Sequence, residues 1–139
     1  MRQAQQDIHA ETHGPGLYDI TRSVASWVRG TGIDTGLLTL FIRHTSASLT
    51  IQENADPDVL LDLQDAMDRL APSGRDLYRH SAEGPDDMPA HIKSALTDTT
   101  LTIPVRGGLP ALGTWQGIYV FEHRKMAHNR TVVCHLMGE

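Results

Sequence analysis

Histidine is the side chain most often used to bind a metal or to move a proton near neutral pH, and this chain carries eight of them against three Tyr, two Phe and two Trp. Three stand in polar company. His44 opens the run His44-Thr45-Ser46-Ala47-Ser48, and Glu53, Asn54 and Asp56 follow before Pro57. A strand-to-helix junction there would gather six hydrogen-bonding or ionisable groups beside a helix N-terminus, where free N–H groups and partial positive charge suit a phosphate or carboxylate. Asp56 is equally the plain N-cap of that helix. Ser46 and Ser48 beside a histidine invite a nucleophile reading, since a hydroxyl needs an adjacent base. Residues two apart on a strand share a face without having to bond, however, and Ser and Thr are common strand-end residues.

A second cluster runs from Tyr78 to His91 and holds His80, Glu83, Asp86 and Asp87. With a helix starting near Asp87, Asp87 and His91 fall at i and i+4, where both reach one metal or one substrate. His80 would come from the preceding loop. Three neutral imidazoles from His44, His80 and His91 would make the ligand set of an open zinc site, although no tight motif such as His-Glu-x-x-His is present and ordinary hydrogen-bonded histidines are the plainer reading. A third segment, Gly107 to Gly117, is turn-rich; it offers backbone N–H groups, Trp115 as a stacking surface and Gln116 as an orienting amide, or it is simply a strand connection. It lacks the Gly-Lys-Ser/Thr of a Walker loop and any dinucleotide fingerprint, so no nucleotide cofactor is expected.

The elements that must position these groups follow from periodicity and punctuation. Gln3–Thr12 reads as an exposed strand, Thr21 as the N-cap of a short helix closed by Gly30-Thr31-Gly32, and Gly36–Arg43 as a strand buried on both faces. Asp56-Pro57 opens a helix with a Leu60, Leu63, Met67, Leu70 stripe. A loop over Arg75–Asp86 leads to a helix from Asp87 to Leu96 with Ile92, Ala95 and Leu96 inward. Thr99–Val105, Gln116–Glu122 and Thr131–Leu136 read as strands, the last two forming a hairpin across Arg124–Asn129. Strands and helices are segregated, which predicts an α+β fold: a largely antiparallel sheet with two to three helices.

A chain of 139 residues is one domain's worth, long enough for a core without staples. With Cys134 as its one cysteine it has no internal disulfide and no zinc site of paired thiolates. There is no membrane-length apolar run and no signal-like N-terminus, which together predict the cytoplasm. Twelve Lys and Arg against seventeen Asp and Glu give a net charge of -5, with no basic cluster, so nucleic acid is not an expected partner.

Together the three segments resemble the YjbQ-like family, also described as secondary thiamine-phosphate synthase enzymes. The resemblance rests on His44-Thr45-Ser46-Ala47, then Glu53-Asn54-Ala55-Asp56-Pro57, Tyr78-x-His80, Glu83-Gly84 with Asp87, Ala90-His91-Ile92-Lys93, Leu112-Gly113-Thr114-Trp115-Gln116 and a late Glu122. It implies an α+β fold assembled as a homotrimer. It also implies a weak activity that joins hydroxymethylpyrimidine diphosphate to thiazole phosphate and releases pyrophosphate. On this reading His44, Ser46, Glu53, Asn54 and Asp56 are catalytic, while Thr45, Asp87, Gly113, Trp115, Gln116 and Arg130 bind a small phosphorylated molecule. His44, His80 and His91 hold a divalent metal, zinc or magnesium. The alternatives are a zinc-dependent hydrolase or a non-catalytic binder of metal or a phosphorylated metabolite. One stretch departs from the family pattern: where Glu-x-Asp-Gly-Pro-Arg-x-Arg is expected, the chain reads Glu122-His123-Arg124-Lys125-Met126-Ala127-His128-Asn129-Arg130.

Overall fold

The computed structural model describes residues 1–139, the side chain of Arg75 excepted. Strand β1 (Arg2–Thr12) leads through β2 (Gly16–Asp19) to helix α1 (Thr21–Thr31), then β3 (Gly36–Ile42), β4 (Ala47–Glu53) and α2 (Pro57–Leu70). A 3-10 turn (Arg75–Leu77) and α3 (Asp87–Leu96) precede β5 (Thr100–Arg106), β6 (Leu109–Pro110), β7 (Gln116–Glu122) and β8 (His128–Gly138). The strands form two antiparallel sheets, ordered β1-β8-β3-β5-β6 and β2-β7-β4. This is the expected α+β class, with three α-helices. Among the described residues no helix is long and apolar enough to cross a membrane.

The core lies between the sheets. Leu38, Leu40 and Ile42 of β3 and Val132, Cys134 and Leu136 of β8 meet Leu49 of β4 and Ile118 and Val120 of β7, and α1 adds Val24 and Val28. Helices α2 and α3 lie against the smaller sheet on its other side, so β7 is covered twice and everything in it from Gly117 to Glu122 is buried. The expectation that β3 is buried on both faces is corrected: it alternates, with Leu37 and Phe41 49% and 47% exposed on the outer face of the larger sheet. An antiparallel sheet covered on one side leaves such residues in water.

Three further expectations change. Thr21 does not cap α1; Asp19 Oδ1 accepts the Thr21 N–H at 2.8 Å, and Thr21 Oγ1 accepts the Ile118 N–H instead. Helix α3 turns Pro89, Ala90, Lys93 and Ser94 inward and leaves Leu96 56% exposed, because the groove it enters is polar. Strands β7 and β8 are not a hairpin: β7 pairs with β2 and β4, β8 with β1 and β3, and residues 123–127 carry the chain from one sheet to the other. The Asp56-Pro57 start stands as expected, Asp56 Oδ1 accepting the Asp58 N–H at 2.9 Å.

Candidate functional site

The chain crosses between the sheets three times at one corner, through His13–Pro15 from β1 to β2, Arg43–Ser46 from β3 to β4 and His123–Ala127 from β7 to β8. The register puts both Gly16 and Ala47 opposite Glu122, so the three crossings lie side by side. Glu122 is fully buried and accepts hydrogen bonds from Arg130 Nε (2.7 Å) and Nη2, from Thr12 Oγ1, and from the His123 and Arg124 amides. Burial alone would raise its carboxyl; these donors, Arg130 first, outweigh that and hold it below the usual range. Arg130, itself 3% exposed, continues to Ser46, with Nη2 3.0 Å from its Oγ.

His44 stands beside this pair. Its Nε2 accepts the Thr131 N–H at 2.8 Å, so Nδ1 carries the ring proton and the ring is neutral. Burial and then the Arg130 charge push its pKa down, in agreement. With that lone pair spent on the backbone, His44 has none for a metal in this arrangement. Arg43, His44, Thr45, Ser46, Thr99 and Arg130 line an open cleft of about 540 Å³, polar on this side and cationic. Neither serine is bonded to His44. Ser46 accepts from Arg130, and Ser48, fully buried, lies 3.0 Å from His123 Nε2.

The second cluster adjoins the cleft through Thr45, whose carbonyl accepts His91 Nδ1–H at 3.1 Å. That bond aims His91 Nε2 at Asp87 Oδ2, 3.1 Å away, and His80 Nε2 reaches the same oxygen at 2.6 Å. Glu83 Oε2 lies 3.2 Å from His80 Nε2. Ligand atoms of His80, Glu83, Asp87 and His91 all fall within 4.8 Å of one another, and an imidazole whose other nitrogen is fixed on a carbonyl is the usual support of a metal ligand. Asp87 is 2% exposed. Burial opposes its ionisation, but the His80 hydrogen bond and the Arg124 charge prevail and lower its pKa, while Asp87 raises that of His80. Arg124 is the brace: Nη1 to Asp87 Oδ1 at 2.6 Å, Nε to Asp86 Oδ2 at 3.0 Å and Nη2 to the Glu83 carbonyl at 3.2 Å.

The remaining expected residues lie elsewhere. Glu53 ends β4, seven residues and about 23 Å beyond Ser46 at about 3.3 Å per residue, and Asn54 and Asp56 follow it. There they tie two loops together. Asn54 Nδ2 donates to the Thr114 and Gln116 carbonyls, Gln116 Oε1 accepts the Gly113 N–H at 2.7 Å, and Glu53 Oε2 accepts the Asp56 N–H at 3.1 Å. Trp115 is 65% exposed beside them. Within one chain the structure therefore joins His44, Thr45, Ser46 and Arg130 with His80, Asp87 and His91, and keeps Glu53, Asn54, Asp56, Gly113, Trp115 and Gln116 apart.

The family model for the UPF0047 protein YjbQ-like family matches residues 6–139. This chain belongs to that family. A Synechocystis relative, the UPF0047 protein sll1880, is 51% identical over 99% of this chain and 94% of its own length, and the Salmonella typhimurium protein YjbQ is 43% identical over 97% and 98%. Among solved structures, a Thermus thermophilus conserved hypothetical protein shares 36% identity with a TM-score of 0.85, covering 95% of this chain and 99% of its own. A Sulfolobus solfataricus YbjQ-like protein of unknown function superposes with a TM-score of 0.90 at 24% identity, covering 99% of both chains. In this YjbQ-like chain the turn between β7 and β8 supplies Arg124, which spacing alone does not single out. Asp86 and Asp87 precede it by 38 and 37 positions, and no local signal ties a basic turn to a distant helix start. Glu83 was visible as part of a motif but not as a neighbour of both imidazoles.

Proposed function

We propose that the protein is an enzyme of small phosphorylated molecules that works with a divalent cation. Its reaction is of the thiamine-phosphate synthase kind, joining hydroxymethylpyrimidine diphosphate to thiazole phosphate with pyrophosphate leaving. The observation that carries this is the setting of His91. With Nδ1–H given to the Thr45 carbonyl, its Nε2 lone pair faces Asp87 Oδ2 at 3.1 Å, an approach that needs a proton or a cation between the two. His80, Glu83, Asp87 and His91 would hold that cation; imidazoles suit zinc and carboxylates admit magnesium. A bound divalent ion supplies positive charge where a pyrophosphate group departs. The chain's own groups supply the rest. Arg130 Nη1, His44 Nδ1–H and Thr45 line the cleft next to the cluster and would orient phosphate oxygens, and Arg124 keeps Asp87 ionised and aimed.

The working unit on this reading is a cytoplasmic homotrimer. Exposed Leu37, Phe41 and Met137 on the larger sheet, and an α2 with no buried residue, support association of copies.

The test is thiamine-phosphate formation by protein purified without a nickel column, with metal analysis on the same samples. His91→Ala should lose bound metal and lower the rate by more than the roughly 10–100-fold that loss of a supporting group costs. His44→Ala should keep the metal and lose rate. Unchanged rates in both variants would end the active-site assignment. The donor set also suits a zinc-bound hydroxide, and a hydrolase would release phosphate from a diphosphate ester without a second substrate. Metal binding with no turnover of either kind would leave a binder.

A further inference from the structure

Beyond the cleft and the cluster, one buried cation has no role in the proposed chemistry. Lys93 on α3 is 7% exposed, and its ammonium is held by a single carboxylate oxygen, Asp68 Oδ1 at 2.6 Å, from a side chain that is 70% exposed. An ammonium withdrawn from water costs several kcal/mol unless firmly paired, and a mobile surface carboxylate is a weak fixed partner. Among the described residues Asp68 is its one hydrogen-bond acceptor, so two of its three N–H donors are unspent.

Lys93 lines a cavity of about 300 Å³ bounded by Ser73, Asp86, Pro89, His123 and Lys125 as well as Asp68. Asp86 brings a carboxylate whose Oδ2 already takes Arg124 Nε and the Lys125 amide, both at 3.0 Å, although Arg124 is shared with Asp87 and offsets only part of that charge. The Lys125 ammonium has no partner among the described residues, although its amide does. The unspent hydrogen-bonding capacity of the cavity is therefore that of ammonium N–H donors. Its volume is at the small end for ligand sites, and α2, which supplies Asp68 and has no buried residue, is a lightly attached wall.

We propose that this cavity is a second binding pocket, for a phosphate monoester group, with Lys93 and Lys125 as its cations and Asp68 as the side chain the phosphate displaces. Lysine meets phosphate as a point charge with rotatable donors, and two of them suit a dianion better than a carboxylate. The pocket is distinct from the His80–His91 cluster and does not depend on a metal.

Inorganic phosphate titrated into EDTA-treated protein, followed through the amide resonances of Asp68, Lys93, His123 and Lys125, tests it against acetate at equal ionic strength. Saturable shifts at those amides with phosphate and none with acetate are expected. Lys125→Ala should weaken the phosphate Kd by about tenfold, and Lys93→Met should abolish the shifts in a protein that keeps its dispersed spectrum. Asp68→Asn, which removes the competitor, should tighten binding several-fold. Lys125 and Asp68 are exposed, so these two variants carry the test even if Lys93→Met does not fold. Equal binding of acetate, shifts confined to residues 44–46 and 130, or unchanged affinity in both Lys125→Ala and Asp68→Asn would overturn the proposal.

Discussion

Removing the Arg130 guanidinium while keeping its stem, as in Arg130→Met, leaves Glu122 fully buried with two of its donors gone and only Thr12 and two backbone amides left. Breaking a buried pair from one side costs about 3–5 kcal/mol. That is a large share of the roughly 5–15 kcal/mol a domain has. With an unfolding entropy of about 2.1 cal/mol/K per residue over 139 residues, it corresponds to a Tm lower by about 10–17 °C. The pH dependence adds a signature. In the native protein Glu122 lies below its ordinary 4.5, so it contributes stability that is present above 4.5 and is lost as pH falls through the lowered value. In Arg130→Met burial dominates and the carboxyl rises, so protonation relieves the penalty and the deficit narrows between pH 7 and pH 5. Urea denaturation at both pH values, at one protein concentration, measures it. Glu122→Gln combined with Arg130→Met should recover most of the loss, because the charge is then gone. A deficit under about 1 kcal/mol at pH 7, or one that stays constant with pH, would refute the view that this pair anchors the corner.

Arg124→Ala should leave the fold intact and weaken zinc affinity by about 10–100-fold, read by competition with a chromophoric chelator, since Asp87 loses the brace on Oδ1. His123, buried and pushed down to about 4 by desolvation and the Lys93 charge, should contribute stability that is present above 6.5 and is lost as pH falls from there toward 4. The loss is on the order of 3 kcal/mol, and chemical denaturation of His123→Leu should show that part of the acid dependence removed. Phe41→Asp should shift a trimer to monomer in sedimentation velocity at micromolar concentration; a wild-type monomer would end the trimer reading.

Much of the fold was legible because its signals are local. The Asp56-Pro57 start of α2 is a contact between residues two apart, and the alternation of Thr100–Arg106 is a property of one strand. The false hairpin between β7 and β8 shows where that logic stops. Two strands joined by a short connection usually pair, but here each has better neighbours, and a strand that must be buried on both sides leaves the sheet of its successor. Helix α3 departs from its apolar pattern for a related reason. Its apolar Ile92 and Leu96 suggest an inner face, yet Lys93 goes in because Asp68 and the cavity beside it offer the ammonium polar company.

The histidine chemistry divides in the same way. The i, i+4 spacing of Asp87 and His91 on one helix was set by the sequence, since helix geometry alone brings such neighbours together, whereas His80 and Glu83 meet through a turn that no such rule fixes. Tertiary structure decided which histidine is spare. His44 loses its Nε2 lone pair to an amide 87 positions away, His91 has its tautomer chosen by a carbonyl 46 positions back, and Arg124 reaches Asp87 across 37 residues. A side chain's protonation, tautomer and free lone pairs depend on what lies within about 3 Å of it, and that is decided only when the crossings of the chain meet at one corner.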